Sequence, residues 1–248
     1  MIVAGMRALL LQALNPRAMA GVVDHSAFRK DPWGRFQRTA GFVMTATYGT
    51  TAQAEAVAAR VRRVHLGVVG TDPVSGSRYA ADDPDLLAWV HNVLASSIVA
   101  AKRRYGGGLS RDDADRYLRE MVRMAELVGT PAELVPVTLP DLRDYLRAAP
   151  LVASPAAHAA KWTVLTPPLP ARLRGPWLVA DAATVALLPG RARRLYGLVW
   201  LPPADPAFTA AMNVLNVGLR RILPLPPAIR DAEARLYRRS PRGVVEPP

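Results

Sequence analysis

Up to about residue 148, apolar residues recur at spacings of three and four, the period of an α-helix with one face turned to a core. The N-terminal segment is apolar nearly throughout and reads as a helix over residues 1–14. It stops before Asn15-Pro16, because the residue preceding a proline is pushed out of the helical region. Pro16 to His25 begins a second short helix. Asp31-Pro32 is a start signal, an acid ahead of a proline in the first turn, and its helix runs to about Tyr48, where Gly49-Thr50-Thr51 breaks it. With Thr51 as N-cap, the next helix carries Val57, Val61, Val64 and Val68 as its apolar stripe, and His65 points inward with them. Residues 71–81 read as a loop. Asp83-Pro84 opens a long helix to about Arg103, with Leu87, His91, Leu94 and Ile98 in line and Gly106-Gly107-Gly108 as its stop. Ser110, with Asp113 three residues on, starts a helix with the stripe Ala114, Leu118, Met121, Ala125 and Val128, ended by Gly129 and Pro131. Thr138 opens a further helix through about Ala148.

From Pro150 prolines become frequent, so helices shorten, to about 153–163, 175–187 and 189–199. A linker over 202–206 leads to a helix over 206–222. No stretch alternates as a strand should, and no segment repeats. The expectation is an all-α protein with one compact multi-helix domain over 1–223. Residues 224–248 form a basic, proline-containing tail, with a short helix near 227–238 and disorder after Ser240.

A chain of 248 residues can bury a substantial core, and with only 6% aromatics that core is filled by Ala, Val and Leu. There is no Cys, which excludes disulfides, thiolate metal sites and cysteine nucleophiles. The net charge of +12 raises nucleic acid or an anionic membrane as partners. However, the excess is almost all Arg beside abundant Ala, a bias that GC-rich coding produces. No helix sets clustered basic residues beside base-reading Asn or Gln, so a nucleic-acid partner is disfavoured. No apolar run reaches the roughly 18 residues of a membrane span. The N-terminal segment carries Arg7 and lacks a basic leader, so it reads as a core helix and the protein as soluble and cytoplasmic.

Candidate chemistry is sparse. GGGL (Gly106–Leu109) has no strand before it and no Lys after it, so it is a helix stop and not a phosphate loop. There is no metalloprotease pair of histidines and no nucleophile elbow. Asp82, Asp83 and Asp85 suit a helix N-terminus better than a cation. His65 and His91 remain, each on an apolar helical face. Such a histidine is more often a hydrogen-bonded core residue than a ligand. A chain without Cys that bound haem would have to ligate iron through His, Tyr or Met, and a ligating imidazole needs a partner for its second nitrogen.

Taken in order, HSAFRKDPWGRFQRTAGFVMTATYGT, RVRRVHLGVVG, YAADDPDLLAWVHNVL and LVGTP resemble the MpaB-type oxygenases, which share a catalytic domain with the rubber oxygenases (latex-clearing proteins). Each pattern alone is common; their succession from about Leu9 to Arg147, with echoes to Tyr196, is specific. The resemblance implies an all-helical domain enclosing a b-type haem, with iron held by the residue matching His65. It also implies a distal helix whose Arg and Thr match Arg35 and Thr39. An Arg there could stabilise bound oxygen or position a haem propionate, and the Thr could donate a hydrogen bond. Equally, Arg35 could only anchor a propionate or pair with an acid, and Thr39 could bond back to its own helix. Arg38, Arg62 and Arg63 are further propionate candidates. The chain departs from the family in having Asn15-Pro16 where His-Pro is frequent, and it starts within what resembles the first conserved helix. The implied function is haem b-dependent oxidation or oxidative cleavage of an apolar, isoprenoid-type substrate by O2. The alternatives are a haem-binding protein without catalysis, and a basic helical nucleic-acid-binding or scaffold protein without cofactor.

Overall fold

A computed structural model describes residues 2–26, 31–200, 205–222 and 224–239, and the helices fall largely where the periodicity puts them. The centre is α5 (Pro84–Tyr105), numbered in chain order and buried along most of its length, from Leu86 to Val99 and again at Tyr105. Asp83 caps it, its carboxylate accepting from the Asp85 amide, and Arg17 pairs with the same carboxylate. Along α5 lies α1 (Ile2–Gln12). Their contact builds the main core from Met6, Leu10, Leu11, Leu14, Trp89 and Val93.

The chain closes this core from its C-terminal half. Around it pack α2 (Pro16–His25), α8 (Pro155–Leu165), α9 (Ala171–Leu187) and α10 (Gly190–Tyr196). The C-terminal carbonyls of α1, which no helical amide can satisfy, find partners in these neighbours. Tyr196 of α10 donates its hydroxyl to Leu10 O at 2.7 Å, and just past α1 the amide of Val152, in the segment before α8, donates to Leu14 O at 2.8 Å. On the other flank of α5, Ala95 and Val99 meet Leu118 and Met121 of α6 (Arg111–Leu127) and Leu142 of α7 (Leu139–Ala148). The long α11 (Asp205–Ile222) packs on α5 and α9, with Asn216 donating to Tyr105 O at 3.0 Å. The protein is therefore all-α, as expected.

Beside this body stand α3 (Pro32–Tyr48) and α4 (Thr51–His65), joined by a two-residue connection and packed on each other as an antiparallel pair. The N-cap of α4 is Thr50 and not Thr51. Thr50 accepts from the Gln53 amide while the Gln53 side chain accepts from the Thr50 amide, a reciprocal box that leaves Thr51 already helical. Within the expected tail, α12 (Pro227–Arg239) packs against α3, and Arg235 donates to Tyr48 O. The expected linker at 202–206 and disorder after Ser240 fall largely outside the described residues.

Three other boundaries differ. Residues 71–81 are not all loop: β1 (Val69–Thr71) and β2 (Arg78–Ala80) pair antiparallel, Gly70 opposite Tyr79. Strands of three residues are too short to show alternation. They are stapled by Asp72, fully buried, whose carboxylate accepts from the Val74 and Ser75 amides and the Ser75 hydroxyl. A Cβ on Gly70 would meet the Tyr79 hydroxyl at 2.6 Å, so the bare backbone lets the ring lie across the strand. α9 starts four residues earlier than expected and carries Pro176 in its exposed second turn. α10 ends at Gly197, whose φ of 64° is the left-handed conformation that terminates helices.

Candidate functional site

Arg35 sits near the start of α3 and His65 is the last residue of α4. At 1.5 Å per residue, each lies about 20 Å along its helix from the connection, so both are at the same end of the antiparallel pair. The C-terminus of α2 comes to this end as well. Arg35 Nη1 donates to the Ser26 hydroxyl at 3.2 Å, and His25 Nε2 lies 2.9 Å from Val69 O, just beyond α4. Ser26 and His25 did not stand out in the sequence, although both belong to or adjoin the HSAF segment.

The buried face of α4 is narrower than its valines suggest. Ala54 and Ala58 are buried and Val61 and His65 half-buried, at spacings of four, three and four, whereas Val64 is 60% exposed. The small alanines let α4 approach its neighbours closely, and His65 continues their line. Its Nδ1 is buried and has no hydrogen-bond partner among the described residues. Burial lowers the His65 pKa and so favours the neutral imidazole, while Asp82 acts in the opposite direction.

Arg35 is half-buried, and burial, then the neighbouring Arg38, lowers its pKa. Among the described residues no carboxylate forms an ion pair with it. Thr39 is exposed and donates its hydroxyl to Arg35 O at 3.1 Å, bonding back to its own helix. Arg38 is exposed and pairs with Asp31 at 3.4 Å. Arg62 is exposed and donates to Leu127 O at the end of α6, its stem passing Gly129. Arg63 is exposed. His91 is apart from these, on α5, 6% exposed, with an unpartnered Nε2 and a pKa pushed down by burial to about 4.

Among the described residues no group of three or more His, Asp or Glu side chains is placed to hold a metal ion. A neutral imidazole with an unpaired buried nitrogen, at the same end of the α3–α4 pair as a guanidinium that pairs with no carboxylate among the described residues, suits a ligand that brings most of its own metal donors and carries anionic arms. Haem has that description, so the residues present fit it. A cavity of about 400 Å³ lies elsewhere, between α1, α5 and α7, and none of Arg35, Thr39 and His65 lines it. Among the described residues no helix is long and apolar enough to cross a membrane.

The family model described as "ER-bound oxygenase mpaB/B'/Rubber oxygenase, catalytic domain" matches residues 1–217. No curated protein and no solved structure matches the chain.

Proposed function

The chain belongs to the mpaB/B′ and rubber oxygenase catalytic-domain family, and from that premise we propose that it is a haem b-dependent oxygenase acting on an apolar, isoprenoid-type small molecule with O2. The observation that carries the haem reading is the buried Nδ1 of His65, without a hydrogen-bond partner among the described residues, at the same end of the α3–α4 pair as Arg35, which pairs with no carboxylate among them. An imidazole nitrogen buried without a partner costs on the order of 1–3 kcal/mol. Engaging His65 with iron and with a second-nitrogen partner would give that burial a purpose.

In this reading His65 would hold the iron through one ring nitrogen. When bound, haem supplies the binding and activation of O2. Arg35 would contribute charge: a half-buried cation could hold a haem propionate or stabilise negative charge nearby. Thr39 commits its proton to Arg35 O and so presents its oxygen as an acceptor. Arg38 and Arg62, exposed and already engaged, serve at most as outer contacts for propionates. Val57 and Val61, half-buried on the same face of α4 as His65, would give the site an apolar lining.

Oxygen uptake by the haem-loaded protein with an apolar isoprenoid, compared with Arg35→Ala, tests the catalytic part. Substrate-dependent uptake that falls tenfold or more in the variant, at unchanged haem content, is expected, on the scale of about 1.4 kcal/mol per tenfold. A haem spectrum with no substrate-dependent uptake would leave a haem-binding protein without turnover.

A further inference from the structure

The 400 Å³ cavity is well within the size range of small-molecule sites. Its walls are apolar: Leu11 of α1, Trp89 and Val99 of α5, and Leu142 and Leu146 of α7. Its charged lining has one sign. Arg7, Arg103, Arg143, Arg147 and Arg191 line it, and no Asp or Glu does. A smaller cavity of about 160 Å³ adjoins it, sharing Arg103, Leu139 and Arg143 and adding Arg111, again with no acid.

These cations are not equivalent. Arg7 is 5% exposed and donates to the Ser96 and Ser97 hydroxyls at 2.8 and 2.7 Å and to Leu187 O at 2.9 Å, all neutral acceptors. Burial pulls its pKa down to about 10, so it is still charged at neutral pH, and its field is uncompensated within the walls. Arg191 is held on Ala149 O at 3.0 Å, and Arg147 pairs with Asp144 at 3.3 Å. Arg103 and Arg143, by contrast, have no hydrogen bond or ion pair among the described residues, and they are the two that line both chambers. An apolar chamber thus adjoins a small one across two guanidinium groups uncommitted among the described residues, and the small one adds a third.

We propose that this double cavity binds a single-chain amphipathic anion, its apolar chain between α1, α5 and α7 and its phosphate or carboxylate head held by Arg103 and Arg143. The guanidinium forks match either oxyanion. Chain burial supplies affinity that the head alone lacks. The site is separate from the His65 end of the molecule and does not rest on the haem reading.

Calorimetric titration of the full chain with dodecyl phosphate, below its micellar concentration, tests this against dodecanol and inorganic phosphate. One-site saturable binding is expected, at least about tenfold tighter than either half-ligand, with a further loss of about tenfold or more in the Arg103→Ala, Arg143→Ala double variant. Both positions are exposed, so the variant should keep the wild-type melting temperature. Dodecanoate binding as well as dodecyl phosphate would assign the head to carboxylates and phosphates alike; weaker binding would assign it to phosphates. Equal affinity for dodecanol, equal affinity for inorganic phosphate, or an unchanged double variant would overturn the proposal.

Discussion

At the scale of single residues, the buried polar groups carry the most information and were the least visible beforehand. That His65 and His91 lie on inward faces was legible from spacing; that one nitrogen of each is left without a partner depends on tertiary neighbours, which no local pattern encodes. His91 makes the consequence measurable. Its folded pKa of about 4 lies below the ordinary 6.5, so between those values the unfolded chain binds the proton and the folded one does not. Its contribution is present above pH 6.5 and is lost as pH falls toward 4, by on the order of 3 kcal/mol. Asp181, whose carboxyl burial pushes up to about 7, acts in the opposite sense, losing stability as pH rises. The quantity to measure is therefore the difference between the urea-denaturation profiles of wild type and His91→Gln. That difference should slope between pH 6.5 and 4, and parallel profiles would show that His91 is not held neutral.

At the scale of elements, starts and stops were legible because they are local chemistry. Asn15, Asp31, Asp83, Ser110 and Thr138 each accept from an amide in the first turn they precede. The failures share a cause. Thr50 and Thr51 are equally good caps by type, and only the reach of Gln53 separates them. The β1–β2 hairpin is held by Asp72 and by Tyr79 donating to Asp24 at 2.7 Å, a contact across 55 residues. α10 stops three residues short because the Gly197 amide donates to Arg194 O and the Leu198 amide to Arg193 O around a left-handed turn. Gly197→Ala forces a Cβ into that conformation and should cost about 1–2 kcal/mol. A lowered urea midpoint at unchanged m-value would show it, and an unchanged midpoint would mean the turn relaxes freely.

At the scale of the whole molecule, the large positive charge has a structural use. Arginines donate to carbonyls at helix C-termini: Arg235 at α3, Arg62 at α6, Arg191 at α7, and Arg7, Arg104 and Arg193 at α9. Cations there satisfy orphan carbonyls and complement the helix dipoles. Composition alone could not distinguish this from a nucleic-acid surface, because the distinction lies in where each guanidinium ends. The family was legible in the order of motifs, and the match extends past both ends of the stretch that carried the resemblance. The proposed haem site was legible only through that resemblance, since one histidine and one arginine 30 residues apart specify nothing by spacing.

The most direct test of the central claim is the visible absorption spectrum of the purified protein before and after dithionite, beside that of His65→Ala. A Soret band with haem b features, at about one haem per chain and absent from a folded His65→Ala protein, is the predicted result. No haem signal after expression with added haemin, or an unchanged spectrum at full occupancy in the variant, would contradict the assignment of His65 as the iron ligand.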